Sequence, residues 1–219
     1  MNFIITGING SGKTTQANFL ASKLNLKQIS SDFVLKHHID IKSELGIKYQ
    51  LESETGLMGG NDILFDMIKY EIANLGRCEG YVLEGFPINY IQSIWVREHL
   101  QIDEIIKINV PESVAVTRML ARGNIDDTIP EINARIYKYN TVTDPIVDNM
   151  GISIVIDGEN TIDVVADNIM RSLNQEPVKS IFSPSTWDFT GTVVNIMKTM
   201  GNIPEMSLFV AMIGIFTLS

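Results

Sequence analysis

The sequence contains a single cysteine, Cys78. One cysteine excludes an intrachain disulfide and a cysteine-rich zinc site, and chains without disulfides are typical of a reducing compartment. We therefore expect Cys78 to be a buried, inert thiol and the protein to be cytoplasmic. Met1 leads directly into a strand-like run, without the basic segment and apolar stretch of a secretory signal, which favours the same location.

The chain has little positive charge. Its net charge is −9 with a pI near 4.8, and it has no run rich in lysine or arginine. This composition argues against a nucleic-acid surface as the main function. The three histidines, His37, His38 and His99, lie in helical patterns, where we expect surface or core positions rather than catalytic ones.

Long hydrophobic runs are also missing. Residues 177–219 contain only four charged side chains, and the uncharged, mostly apolar run 206–219 is only fourteen residues long. About 20 residues are needed to span a bilayer. We therefore expect a C-terminal extension, residues 176–219, that docks on the domain or on a partner, and we favour this over a membrane segment that stops short.

What is present, near the N-terminus, is a phosphate-binding pattern. Residues 7–14 fit G-x-x-x-x-G-K-[ST], in which glycines let successive N–H groups wrap an anion. The lysine of this motif reaches the β- and γ-phosphates, and the hydroxyl after it lies on Mg²⁺. The candidate ATP-binding residues are Gly7, Asn9, Gly10, Ser11, Gly12, Lys13, Thr14 and Thr15, with Thr14 also a metal ligand.

The flanks of this pattern indicate that the match is real. An apolar, β-branched run, residues 3–6, precedes it, and Ala17, Leu20, Ala21 and Leu24 follow at helical spacing. The alternative, a glycine-rich turn with an incidental lysine, does not account for this order of strand, loop and helix.

Strand-like runs alternate with helical patterns up to about residue 175, which predicts an α/β domain, residues 1–175, with a parallel sheet. The predicted strands are residues 3–6, 27–30, 81–84, 103–110 and 152–156. Glu84 ends the third strand, so we expect it beside the phosphate loop, because ligands bind at the carboxyl ends of parallel strands.

Three further expectations concern the second half of this domain. Residues 123–129 are polar and turn-rich and predict an exposed loop. Pro145 should break or kink the helix that starts near Pro130. The closing helix should bury the face made by Ile162, Val165, Ala166, Ile169 and Leu173.

The residues 7–16 followed by Leu83-Glu84-Gly85-Phe86-Pro87 resemble adenylate kinase and its nucleoside monophosphate kinase relatives. The resemblance covers about residues 1 to 175 and includes Ile29-Ser30-Ser31, Ile108-Asn109-Val110-Pro111-Glu112, the Asp126-Asp127 pair and Ile156-Asp157-Gly158. It implies a five-stranded parallel sheet with helices on both faces, an acceptor-binding region at residues 30–60 and a short lid at residues 122–130.

The resemblance also implies roles for individual residues. Arg118 looks like the arginine that stacks on the ATP base, and Arg122 and Arg135 look like arginines that act with Lys13 on the transferring phosphoryl group. Glu84 stands where the family usually has an aspartate that holds Mg²⁺ through water. The implied acceptor-binding residues are Ser31, Lys36, Gly85 and Gln92, the last as the glutamine that reads the acceptor base, usually adenine.

Three positions depart from the family pattern. Lys36 and Ile88 stand where arginines usually contact the acceptor nucleotide, and Asn124 replaces an arginine of the lid. Lysine lacks the planar bidentate fork of arginine, and a charged hydrogen bond to phosphate contributes about 1.5 to 3 kcal/mol. The loss at Ile88 is therefore the most serious of the three.

The leading hypothesis is a monomeric enzyme that uses Mg²⁺ to transfer a phosphoryl group from ATP to a nucleoside monophosphate, most simply AMP. A phosphate acceptor already carries an ionised oxygen, so no general base is needed. One alternative is a related small-molecule kinase with a different acceptor. The other is a nucleotide-binding module with little turnover.

Overall fold

The computed structural model describes residues 1–54, 60–151 and 154–174. In this part of the chain, five parallel strands form one sheet in the order β2-β3-β1-β4-β5, which confirms the predicted sheet. The strands are β1 (Asn2–Thr6), β2 (Lys27–Ser30), β3 (Tyr81–Glu84), β4 (Glu104–Asn109) and β5 (Ile154–Asp157). The expected docking of residues 176–219 lies outside the described residues.

Helices connect the strands and cover both faces of the sheet. They are α1 (Lys13–Leu24), α2 (Ser31–Asp40), α3 (Glu44–Glu54), α4 (Gly60–Ala73), α5 (Tyr90–His99), α6 (Glu112–Arg122), α7 (Ile129–Lys138), α8 (Asp144–Asn149) and α9 (Ile162–Leu173), with a π-helical turn (Tyr139–Thr143) between α7 and α8. Among the described residues, no helix is both long and apolar enough to cross a membrane.

Each face of the sheet carries its own apolar core, because side chains alternate between the two faces along each strand. In β1, Ile4 belongs to a core cluster with residues of α4 and α5. Its neighbours Phe3 and Ile5 belong to a second cluster with residues of α1 and α9. All three side chains are essentially inaccessible to solvent. Burial on both faces explains why this strand is a continuous apolar run rather than an alternating one.

The strand register places the carboxyl ends of β1, β2 and β3 at one edge of the sheet. Ile5 pairs with Glu84, and Ser30 of β2 pairs with the same Glu84. On the other side of β1, Thr6 pairs with Lys107 of β4. The loops that leave β1, β2 and β3 therefore start side by side, as predicted for Glu84 and the phosphate loop.

The structure corrects two expectations about helix faces and loops. Ile162, predicted on the buried face of α9, is 59% exposed, because it is the first residue of the helix. Its backbone carbonyl, rather than its side chain, contacts α1 by accepting a hydrogen bond from the Gln16 side chain. The loop before α7 is polar as expected, but Asp127 within it is buried.

Pro145 redirects the helical path without ending it. Proline has no N–H, so the α-helical bond to the carbonyl four residues back cannot form. The chain takes a π-helical turn instead, in which the Asp144 N–H donates to the Tyr139 carbonyl, and Pro145 then lies in the first turn of α8. Such turns inside helices are often found at functional sites.

Candidate functional site

The phosphate loop joins β1 to α1 in a conformation that requires glycine at two positions. Gly10 has φ +89°, and a Cβ there would lie 2.6 Å from the Ala115 carbonyl of α6. Gly12, with φ +97°, is the N-cap of α1 and provides no side-chain cap. Because glycine has no side chain that could cap the helix, the first N–H groups of α1 stay available to an anion bound at the loop.

A cavity of about 520 Å³ opens above this loop. Among the described residues that line it, five carry positive charge and two carry negative charge, Asp32 and Glu84. The cations are Lys13, Arg118, Arg122, Arg135 and Lys138. In a chain of net charge −9, such a local excess of positive charge attracts a polyanion.

Lys13 is half-buried at the start of α1, rather than fully exposed. Its Nζ donates to Asn9 Oδ1 at 3.3 Å. Burial lowers the pKa of Lys13 below its ordinary value, while Glu84 and Asp32 oppose the shift and Arg122 adds to it. A polyphosphate bound here would offset the cost of keeping this ammonium charged.

Thr14 and Glu84, the predicted metal ligands, lie in contact. The Thr14 hydroxyl donates to Glu84 Oε1, and Gln28 Nε2 donates to Glu84 Oε2 at 3.2 Å. Glu84 is only 5% exposed, so its carboxylate is fixed by the sheet and by these two donors. A hydroxyl beside an oriented carboxylate is a donor set that suits Mg²⁺, which binds oxygen and keeps several waters.

Arg118 is held between the phosphate loop and the loop after β5. Its Nη2 donates to the Gly158 carbonyl at 2.9 Å, and its Nη1 lies 3.4 Å from the Ser11 carbonyl. Ser11 itself is buried. Two backbone acceptors thus fix the guanidinium at the rim of the cavity.

Asp127 organises two arginines, Arg122 at the end of α6 and Arg135 in α7. Arg135 Nη1 donates to Asp127 Oδ1 at 2.9 Å, and Arg122 Nε lies 4.0 Å from Asp127 Oδ2. Asn124, one of the departures from the family pattern, donates to the same Oδ2 at 3.0 Å. The buried Asp127 carboxylate therefore holds both arginines at the cavity, and Asn124 contributes to the same cluster.

On the acceptor side, the turn after β3 forms the cavity wall. Gly85, Phe86, Pro87 and Ile88 line it, and Ser31 Oγ donates to the Gly85 carbonyl at 2.7 Å. This bond ties the start of α2 to the turn after β3.

Three of the four predicted acceptor residues lie outside the cavity lining: Ser31, Lys36 and Gln92. Lys36 is exposed on α2. Gln92 is buried in α5, where its Oε1 accepts from the Ile88 N–H at 2.8 Å and its Nε2 donates to Asn61 Oδ1 at 2.9 Å. The Gln92 side chain therefore supports the turn that carries Ile88.

Sequence reasoning missed several lining residues. Asp32, Lys138, Tyr139 and Thr143 belong to the same cavity. A signal for Lys138 was present, because it lies three residues after Arg135 and hence on the same helix face. Nothing in the sequence pattern singled out Tyr139 or Thr143, whose positions depend on the π-helical turn.

A phosphate loop that shares a positively charged cavity with arginines of α6 and α7 is the arrangement of a phosphoryl-transfer enzyme. The chain is thus a P-loop kinase by fold and site. The adenylate kinase family model matches residues 5–152, and the chain belongs to that family. As a member, it is an ATP-dependent nucleoside monophosphate kinase.

Individual relatives agree. The adenylate kinase of Nocardia farcinica is 30% identical over 181 residues, which cover 80% of this chain and all of that protein. The adenylate kinase of Corynebacterium urealyticum is 28% identical with the same coverage. That of Leptospira biflexa is 28% identical over 182 residues, 78% of this chain and 98% of the relative. The resemblance stated from the motifs is confirmed.

Proposed function

We propose that this chain transfers the γ-phosphoryl group of ATP to AMP, with Mg²⁺, and that the predicted site residues carry out the reaction. The observation that supports this most is the cavity that brings Lys13 together with Arg122 and Arg135, opposite the turn after β3. Family membership supports the same reaction. The two alternatives, a small-molecule kinase with another acceptor and a module with little turnover, are not favoured.

ATP binds along the phosphate loop in this proposal. The backbone of Gly7, Asn9, Gly10, Ser11 and Gly12 and the start of α1 surround the phosphates, with Thr14 and Thr15 at the helix start. Arg118, fixed by two backbone carbonyls, presents its guanidinium to the adenine base. Stacking on an aromatic face suits a planar guanidinium.

Thr14 and Glu84 are the residues that would hold Mg²⁺, Glu84 through water. When bound, the ion would supply positive charge that neutralises the phosphates of ATP. The Gln28 side chain keeps Glu84 oriented, which is the usual contribution of an outer hydrogen bond to a ligand.

In the transfer, an ionised phosphate oxygen of AMP forms a bond to the γ-phosphorus of ATP. The bond between that phosphorus and the oxygen bridging to the β-phosphate breaks, and its electron pair stays on the departing ADP. Two molecules of ADP result, and no proton needs to be removed from the acceptor. Catalysis is then positioning and charge neutralisation.

Lys13, Arg122 and Arg135 provide that neutralisation. Arg135 has five N–H donors, of which one bonds to Asp127 and one to the Asp126 carbonyl. Donors therefore remain for the phosphoryl group without loss of the contact that orients the side chain.

For the acceptor we propose Ser31, Lys36, Gly85 and Gln92. The Gln92 amide still has one N–H and one lone pair after its two bonds, which is enough to read an adenine edge. The monomeric state and the cytoplasmic location also stay predictions, the latter supported by the single cysteine.

The test is a panel of acceptors with ATP and Mg²⁺: AMP, CMP, UMP, GMP and the corresponding nucleosides. We expect AMP to be the fastest acceptor and ADP to form from both substrates, measured by chromatography of all nucleotides. Turnover of a nucleoside, with none of the monophosphates phosphorylated, would instead establish a kinase for an acceptor without phosphate.

A further inference from the structure

The acceptor end of the cavity lacks a cation from the turn after β3. Phe86, Pro87 and Ile88 form an apolar wall there, and Ile88 is 37% exposed. Lys36, the other candidate for the acceptor phosphate, lies outside the lining. A phosphate dianion placed against this wall needs a positive charge from another element, because an unpaired charge in a cleft is costly.

Lys138, the last residue of α7, supplies such a charge to the same cavity. It is exposed, and no described carboxylate forms an ion pair with it. Arg135 lies one turn earlier on the same helix face. The two cations therefore follow each other along α7, with Lys138 farther from the lid loop.

The π-helical turn that follows Lys138 contacts the turn after β3. Thr143, at the end of that turn, donates its hydroxyl to the Ile88 carbonyl at 3.3 Å. Tyr139, which follows Lys138 directly, is buried, with its hydroxyl 3.2 Å from Thr6 Oγ1 and 3.1 Å from Asp144 Oδ1. The segment that follows Lys138 is thus tied by its side chains to the end of β1 and to the Ile88 carbonyl.

We propose that Lys138 binds the phosphate of the acceptor nucleotide and so takes the place of the arginine that is absent at position 88. The inference rests on the proposed function. A lysine ammonium acts as a point charge on a flexible stem rather than as a bidentate fork. Lys138 contributes affinity for the acceptor phosphate and draws it toward Arg135, where the transferred group arrives.

The first test compares Lys138→Met with Lys23→Met. Lys23 is an exposed lysine in the last turn of α1, outside the cavity lining, and its substitution removes the same charge from the chain. We expect Lys138→Met to lose roughly ten- to a hundredfold in kcat/KM for AMP, mostly through KM, as for one charged contact. The KM for ATP should change less than about threefold, and Lys138→Arg should keep most of the activity.

The second test returns the charge to the turn after β3. Ile88→Arg in the Lys138→Met background should recover most of the lost affinity for AMP, whereas Ile88→Arg alone should gain much less, because Lys138 already occupies that role. Such a difference is the non-additivity expected of two residues that serve one phosphate. Additive effects would contradict the proposal.

Three outcomes separate the possible failures. If the unmodified chain phosphorylates none of the monophosphates, the proposed function fails. If it phosphorylates AMP and Lys138→Met matches Lys23→Met, only the role of Lys138 is wrong. If Lys138→Met raises the KM for ATP as much as that for AMP, Lys138 belongs to the ATP side, which also overturns the proposal.

Discussion

At the scale of single residues, the site depends on charges that the ligand-free protein accommodates poorly. Burial lowers the pKa of Lys13, and the neighbouring Glu84 and Asp32 only partly oppose this shift. When the pKa of a lysine falls on folding, the folded state binds the lysine proton less readily than the unfolded state does. The ammonium therefore detracts from stability below its ordinary pKa, and the effect fades as the pH rises toward it.

Lys13→Met should abolish phosphoryl transfer while the fold survives. The ammonium serves the polyphosphate, and the ligand-free protein loses the long 3.3 Å bond to Asn9 and an attraction to Glu84 and Asp32 that is smaller than the cost of burying the charge. We expect kcat to fall by at least about a hundredfold, in line with the loss of one charge-stabilising group at a reacting phosphate, and the free energy of unfolding at neutral pH to stay the same or rise. Steady-state kinetics and urea unfolding check the two parts, and near-normal turnover would remove Lys13 from the mechanism.

The same shift predicts proton uptake when ATP binds. The free site lowers the pKa of Lys13, and bound phosphates raise it again, so between the two values binding draws a proton from solution. Uptake should be largest at a pH midway between the two values and should vanish well below and well above them. Calorimetry in two alkaline buffers of different ionisation enthalpy measures it, and Lys13→Met, which cannot take up this proton, is the control. Equal uptake by both proteins would contradict the shift.

The residues that sequence reasoning could find were those that a local pattern defines. Gly10 and Gly12 are required by backbone geometry, and Lys13 follows them in the motif. Glu84 was placed correctly because strand ends meet at one edge of a parallel sheet. Asp127 was expected to be exposed, since a polar, turn-rich segment carries no sign that one carboxylate turns inward to accept from Arg135 and Asn124.

At the scale of elements, one arginine of α6 and one of α7 share an acceptor in the loop between the two helices. Asp127 accepts from Asn124 and Arg135 and lies near Arg122. Asp126, its neighbour, contributes its backbone carbonyl to Arg135 and has an exposed side chain. The two aspartates therefore differ in role although they are adjacent and identical in type.

Asp127→Ala should reduce both stability and activity, and Asp126→Ala should change little. Loss of the buried carboxylate removes one hydrogen bond from Arg135 and one from Asn124, which we expect to lower the free energy of unfolding by about 1.5 to 3 kcal/mol. It also frees Arg122 and Arg135 from their positions at the cavity, so kcat should fall more than the affinity for ATP. Urea unfolding and kinetics of both variants provide the measurement, and equal effects in the two would show that Asp127 has no special role.

The π-helical turn between α7 and α8 could be foreseen only in part. Pro145 predicted a disturbance of the helix, but whether the chain would break, kink or widen depends on distant partners. Tyr139 finds Thr6 at the end of β1, and Thr143 finds the Ile88 carbonyl. These contacts join residues more than fifty positions apart, and no local propensity encodes them.

At the scale of the whole molecule, the described domain corresponds in length to its relatives. The match to the Nocardia farcinica adenylate kinase covers all of that protein but 80% of this chain. The alternating pattern of strands and helices ends with α9, which joins the core cluster formed with α1. The described fold was thus predictable from alternation and motifs, whereas the sequence of residues 176–219 shows no such pattern.

A chain that ends at Glu176 should therefore fold and keep its affinity for ATP. Every described element and every residue assigned to the site lies before this point, and the match to the Nocardia farcinica adenylate kinase already covers all of that relative. We expect the melting temperature of the shortened protein to match that of the full chain within about 3 °C, the shift caused by less than about 1 kcal/mol in a domain of this size. The Kd for ATP should match within about twofold, a difference of less than about 0.5 kcal/mol. Differential scanning calorimetry and isothermal titration calorimetry measure these quantities. Aggregation, or loss of ATP binding by the shortened chain, would show that residues 177–219 belong to the folded core rather than to an extension of it.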